Sequence, residues 1–273
     1  MNISEKFAPL LGLALALLAA SATAAADVAL DSILAGPQRS AENRARDRYR
    51  HPSETLNFFG IKADMTVVEI SPGTGWYSEI LAPYLRDHGK LYAAHYSPTA
   101  EVEYFRKAVG DFKVKLAATP AIYDRVILTE FMPPDTLNIA PAGSADAVLT
   151  FRNAHNWLKD SGEVKVFKAA FTALKPGGVL GVVEHRAKPG TTREQSLASG
   201  YTSEQLVIEA AQAAGFVVDG KSEVNANARD TKDYPKGVWT LPPRLILGEQ
   251  DKDRYLAIGE SDRMTLRFRK PAQ

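Results

Sequence analysis

The residues best suited to chemistry fall in three short stretches. In "VVEISPGTGWYSEIL" (67–81) an apolar, β-branched run ends in Glu69, and Gly73 and Gly75 follow at alternate positions before a helical pattern begins. Glycines there let the backbone approach a ligand closely, the next helix aims its N-terminus at it, and an acid at the strand end can hold a polar or cationic group. In "FRNAHNW" (151–157) His155 follows another apolar run, with Arg152 and Asn153 just ahead of it. In "VVEHR" (182–186) His185 follows Glu184. A histidine just past a strand can serve as a general base if it reaches the acceptor, because its charge changes near neutral pH. The plainer alternative for both is a histidine that packs or hydrogen-bonds locally. Arg152 suits either an anionic group or an ordinary surface position.

Several chemistries are excluded. A dinucleotide site wants G-x-G-x-x-G, and Ser78 stands at the third position. It also wants an acid ending the second strand, where this chain has His95 and Tyr96. A serine hydrolase elbow wants G-x-S-x-G, and Thr74 lies between the glycines. Glu184, His185 and His155 match no compact metal-ligand spacing, so no metal is expected. The absence of cysteine removes disulfides, thiolate metal sites and a cysteine nucleophile. A net charge of +1 gives no basic excess that would argue for nucleic acid. The oligomeric state is left open.

The elements that must position these residues alternate. "MTVVEI", "KLYAAHY", "YDRVILTEF", "SADAVLTF" and "VLGVVEH" read as strands, separated by helical patterns such as "WYSEILAPYLR" and "VKVFKAAFTALKPGG". "TSEQLVIEAAQAAGF" reads as a helix capped by a Thr202–Gln205 box and closed by Gly215. "FVVDGKSEV" and "MTLRFRK" follow as strands without a helical crossover, so they are expected to pair antiparallel. The pattern predicts an α/β fold: a Rossmann-like, mainly parallel seven-stranded sheet with helices on both faces and an antiparallel last strand.

"EISPGTG" resembles the first motif of class I S-adenosylmethionine-dependent methyltransferases, an acid followed by alternating glycines. "SADAVLTFRNAHNWL" (144–158) resembles that family's fourth-strand segment, and "ALKPGGVLGVVEH" (173–185) its fifth. The resemblance covers about residues 52–224, and "HPSETL" with "RDTKDYP" and "GVWTLPP" points to an exported bacterial branch. It implies S-adenosyl-L-methionine as cofactor, held by Glu69, Ser71, Gly73, Gly75, Arg152 and Asn153. Ser71 stands where the family has its first glycine. The family's ribose-binding acid after the second strand is absent, and His95 and Tyr96 stand in its place. Glu130 follows the third strand, where the family often has an adenine-contacting acid. The cationic sulfonium would suit the faces of Trp76 or Tyr77, though Tyr77 equally suits packing of its helix. The expected activity is methyl transfer to a small-molecule acceptor, with His155 and His185 as candidate catalytic groups. The alternative is a non-catalytic, methyltransferase-like ligand-binding protein of the periplasm.

The N-terminus bears on location. Lys6 precedes an apolar stretch from Phe7 to Ala20, and "SATAAAD" follows, which reads as a secretory signal cleaved after Ala26, with Ala24 as second choice. The mature protein is then periplasmic or secreted, with no stable membrane insertion. Residues 27–62 read as a helical cap and 63–273 as the methyltransferase-like domain. Within the cap, Arg46 and Arg50 share one side of a helix and Arg44 and Arg48 another. That is a solvated face or a lid over the cofactor. Residues 225–262 form a long insertion too apolar for a plain linker.

Overall fold

The computed structural model describes residues 30–272, and the signal-peptide expectation concerns residues outside that range. After a helical turn over 30–35 come α1 (Ala41–Ala45), α2 (Asp47–Arg50) and α3 (Pro52–Phe59). Pro52 opens α3, where a missing N–H costs nothing, and Gly60 closes it in the left-handed region at φ 74°. Then follow β1 (Thr66–Ile70), α4 (Ser78–Leu85), β2 (Lys90–His95), α5 (Glu103–Ala118), α6 (Pro120–Tyr123), β3 (Val126–Met132) and β4 (Thr136–Leu137). The second half runs β5 (Ala145–Phe151), α7 (Gly162–Ala173), β6 (Leu174–His185), α8 (Arg193–Ser199), α9 (Glu204–Ala213), β7 (Val217–Ser222), α10 (Lys252–Ile258) and β8 (Arg263–Arg269).

One eight-stranded sheet has the order β4-β3-β2-β1-β5-β6-β8-β7. Strands β3, β2, β1, β5 and β6 pair in parallel, and β8 runs antiparallel to both β6 and β7. The expected architecture holds with one strand more than the sequence pattern gives. The extra strand is the two-residue β4, which folds back antiparallel on the end of β3. Two residues are too few to leave a period-two signal.

Side chains of β1 alternate between two buried faces, as a parallel strand requires. Val68 and Ile70 enter a core with Val166 and Phe167 of α7 and Val207 and Ala210 of α9. Val67 enters the opposite core with Leu56 and Phe59 of α3 and Ile80 and Leu81 of α4. Glu69 follows the parity of Val67, so its carboxylate is delivered to the face that the N-terminal helices and α4 cover.

Helix α9 starts one residue later than the sequence pattern implies. Its N-cap is Ser203, whose hydroxyl accepts the Leu206 N–H, and the Thr202–Gln205 box does not form. Thr202 is committed elsewhere: its N–H donates to the His185 carbonyl and its carbonyl accepts from Ala187. A capping box does form at Thr192 and Gln195, opening α8.

The segment 225–262 folds back onto the domain. Asn225 Nδ2 donates to Thr55 Oγ1 and Thr265 Oγ1, both at 2.9 Å. Asp230 accepts from Tyr201 Oη at 3.0 Å and from the Asp262 N–H at 2.8 Å. Leu241 and Tyr255 are buried. Among the described residues no helix is long and apolar enough to cross a membrane.

Candidate functional site

At the end of β1 the chain turns through three left-handed residues, Ser71 (φ 52°), Gly73 (φ 61°) and Gly75 (φ 83°). A Cβ on Gly75 would stand 3.0 Å from Phe112 Cε2, so this glycine lets α5 pack close. A Cβ on Gly73 would meet nothing within 4 Å, because that backbone faces the cleft. The turn is tied down from three sides. Asn153 Nδ2 donates to the Ile70 carbonyl at 3.1 Å, and Lys115 Nζ donates to the Thr74 carbonyl at 2.9 Å. His95 completes the set. The Tyr96 N–H donates to its Nδ1 at 2.7 Å, so Nε2 carries the proton and donates to the Gly73 carbonyl at 3.1 Å. Burial also lowers the His95 pKa, which favours this neutral ring.

The Glu69 carboxylate lies at the floor of the turn. Ser78 donates to Glu69 Oε2 at 2.6 Å, so the residue that spoils the dinucleotide pattern serves the acid instead. Burial pushes the Glu69 carboxyl up to about 7, against the lowering pull of Ser78, Lys115 and Arg152.

These groups line a cleft of about 240 Å³. Glu69, Ser71 and Gly73 form one wall, and Arg152 and Asn153 from the end of β5 form another. The N-terminal helices contribute Arg46 and Arg50, so the arginine pair one helical turn apart faces the cleft rather than open solvent. Glu260, buried beside them, accepts from Arg46 Nε at 2.6 Å, Arg50 Nε at 3.3 Å and Arg263 Nη2. Burial raises the Glu260 pKa, yet Arg263, Arg50 and Arg46 together hold it well below the usual carboxylate range. Burial lowers the pKa of Arg152 to about 10, with the charge of Arg263 adding to the effect. Arg152 adopts φ 62°, a strained value for a side chain with a Cβ, of the kind that gathers at functional sites.

The remaining sequence candidates are distributed as follows. Tyr96 packs against Phe105 with ring centroids 4.5 Å apart, and Glu130 is exposed within β3, which runs on to Met132, rather than following that strand. Neither lines the cleft. Tyr77 stacks on Phe151 at 3.5 Å and is buried, which commits its face to packing. Trp76 has Arg50 over its ring at 4.5 Å and Arg39 at 4.9 Å.

His155 and His185 come together outside the cleft, with ring centroids 5.5 Å apart. His155 Nδ1 lies 3.1 Å from Glu184 Oε1, and His185 Nδ1 lies 2.5 Å from Ser261 Oγ. Burial, then the charges of His155, Arg263, Arg152 and Arg50, hold the His185 pKa well below its usual range. Glu184, His155 and His185 bring ligating atoms within 4.8 Å of one another. However, the Glu184 oxygens already accept the His155 and His185 backbone N–H groups, at 3.1 and 2.7 Å.

The sequence reading did not place Ser78, Glu184 or Glu260 at work. Glu260 lies in the long insertion, and although Arg263 is three positions on, the cleft-lining partners Arg46 and Arg50 are more than 200 positions away, so local spacing could not have tied it to the cleft.

Neither a protein-family model nor a curated protein matches this chain by sequence. Solved structures do match. A SAM-dependent methyltransferase from Aquifex aeolicus is 16% identical, over 83% of this chain and 93% of that one, with a TM-score of 0.55. This chain has the α/β fold of class I methyltransferases. A geranyl diphosphate methyltransferase solved with SAM shares that fold at 14% identity, over 88% of this chain and 94% of that one, with a TM-score of 0.53. The [4+2]-cyclase SpnF does so at 19% identity, over 87% and 85%, with a TM-score of 0.56.

Proposed function

We propose that the cleft at the end of β1 binds S-adenosyl-L-methionine and that the protein transfers its methyl group to a small-molecule acceptor. The observation that carries this reading is the buried Glu69 carboxylate next to the open backbone of Gly73, in a methyltransferase fold. A nucleoside fits where a Cβ would otherwise project, and the carboxylate offers acceptor oxygens to its polar groups. The methionine sulfonium supplies an electrophilic methyl group. The protein then has to hold donor and acceptor in line and, for some acceptors, remove a proton. Asn153, His95 and Lys115 serve the first task by fixing the turn.

In this reading the proton falls to His155, which lies outside the cleft two positions after the cleft residue Asn153 and serves an acceptor that extends from the cleft toward it. Glu184 beside Nδ1 orients the ring and favours the tautomer whose Nε2 is a free base. His155→Gln should therefore lower kcat by about 10²- to 10⁴-fold while the cofactor Kd stays unchanged. A change in Kd without a change in kcat would remove His155 from this role.

Calorimetry with S-adenosyl-L-methionine tests the binding itself, and absence of heat at millimolar ligand would overturn the reading. Its pH profile is a sharper check. The Glu69 pKa is raised in the free protein, so a ligand that hydrogen-bonds to the carboxylate binds better as pH rises through about 7. Affinity should gain about tenfold between one unit below and one unit above that value, and Glu69→Gln should flatten the profile. The free protein should move the opposite way. A raised carboxyl pKa stabilises the fold below the unfolded value of about 4.3, and that contribution is lost as pH rises through about 7.

One observation favours the second reading, a ligand-binding protein that transfers no methyl group. Both ring nitrogens of His95 are spent on backbone, so the end of β2 offers no carboxylate and no free nitrogen to a ribose. The [4+2]-cyclase SpnF shares the fold. Binding of S-adenosyl-L-methionine without turnover against a broad acceptor set would favour that reading.

A further inference from the structure

The charges around the cleft are out of balance. Arg46, Arg50 and Arg263 all converge on Glu260, a single carboxylate. Arg152 faces the same group and makes no side-chain hydrogen bond or ion pair among the described residues. Arg50 is 2% exposed and lines the cleft, and its Nη1 is buried without an acceptor. A buried donor left unpaired is costly, and more so when charged, so such a group marks a place where a ligand atom belongs. The left-handed backbone of Arg152 adds a second strained feature on the same wall.

The cofactor alone does not restore the balance. S-adenosyl-L-methionine brings one carboxylate together with an ammonium and a sulfonium, so it adds net positive charge to an already cationic cleft. Glu69, with its carboxyl raised to about 7, offsets that only in part near neutral pH. An oxyanion held by planar, forked guanidiniums is the ligand that such a donor set recognises.

We propose that the acceptor carries an oxyanion, a carboxylate or a phosphate, which Arg152 and the unpaired Nη1 of Arg50 hold within the cleft beside the cofactor. The proposal rests on the methyltransferase reading for the word acceptor, while the oxyanion site is tested without it.

The test is calorimetric titration of the protein with inorganic phosphate and, separately, with malonate, each with and without saturating S-adenosyl-L-methionine. The two probes distinguish a phosphate from a carboxylate preference. Arg152→Gln is the site variant. Arg86→Gln removes the same charge from a half-buried surface residue paired with Asp87 and Asp124, outside the cleft lining. We expect at least one oxyanion to bind, affinity to fall about tenfold or more in Arg152→Gln, and Arg86→Gln to match the unaltered protein within about twofold. Thermal unfolding of both variants checks the fold, and Arg152→Gln should melt no lower than the unaltered protein because it removes an unpaired charge. Three results would overturn the proposal: no binding of either oxyanion, equal binding by Arg152→Gln, or equal loss in both variants. Displacement of the cofactor by the oxyanion would also overturn it, because the guanidiniums would then serve the cofactor's own carboxylate. Failure of the cofactor to bind while the oxyanion binds would reject the methyltransferase reading and leave the oxyanion site standing.

Discussion

Gly73→Val is expected to abolish S-adenosyl-L-methionine binding, by about 100-fold or more, in a protein that still folds. Two effects act at this position and they differ in size. The backbone sits at φ 61°, where a β-branched side chain is strained by roughly 1–2 kcal/mol. That cost is small beside the stability of a domain of this length, and a Cβ there meets no protein atom within 4 Å. The side chain instead projects into the cleft, into space the cofactor needs. Gly75→Val makes the instructive contrast. Its Cβ would stand 3.0 Å from Phe112 Cε2, so it should lower thermal stability through α5 as well as binding. Calorimetry and thermal unfolding on the two variants separate the effects. Full cofactor affinity in Gly73→Val would place the ligand elsewhere.

How much of this was readable from residues alone differs between the frame and the site. Strand order cannot be read from one chain, but the alternation of apolar runs with helical patterns was enough to place β1, β2, β3, β5, β6, β7 and β8. Each of these spans at least five residues, long enough to show a pattern, and the two-residue β4 did not. The glycine turn was legible because positive φ selects glycine, and Ser71 and Arg152 were not, because any residue can be forced there by its surroundings. His95 illustrates the limit on side chains. Its place after β2 was clear, yet whether its nitrogens face a ribose or the Gly73 carbonyl depends on a rotamer that spacing does not encode. Arg46 and Arg50 were grouped correctly by helical spacing, but their direction was set by Glu260, which arrives from the far end of the chain. Long-range electrostatic pairing of this kind has no sequence period. That is why the positive side of the cleft emerges only with the structure.

The same pairing sets the second large effect. Glu260→Gln should destabilise the protein by about 3–5 kcal/mol, the usual result of removing one partner from a buried ion pair. Glu260 and Arg263 are each 2% exposed, so water does not take the place of the lost charge. Arg50 is equally buried and Arg46 lies beside it, which leaves three guanidiniums facing one another around a neutral amide. At roughly 2–4 °C per kcal/mol for a domain of this size, the melting temperature should fall by about 10 °C. The pH dependence identifies the cause. Burial alone would raise the Glu260 pKa, and the arginines more than reverse that, so its folded value is depressed. A depressed carboxyl stabilises the fold above the unfolded pKa of about 4.3, and that stabilisation disappears as pH falls through the folded value. The stability gap between the unaltered protein and Glu260→Gln should therefore be full near neutral pH and narrow progressively on acidification below about pH 4. A gap that stays constant across that range would mean Glu260 acts through packing, and the arginines lining the cleft would then owe their position to something other than its charge.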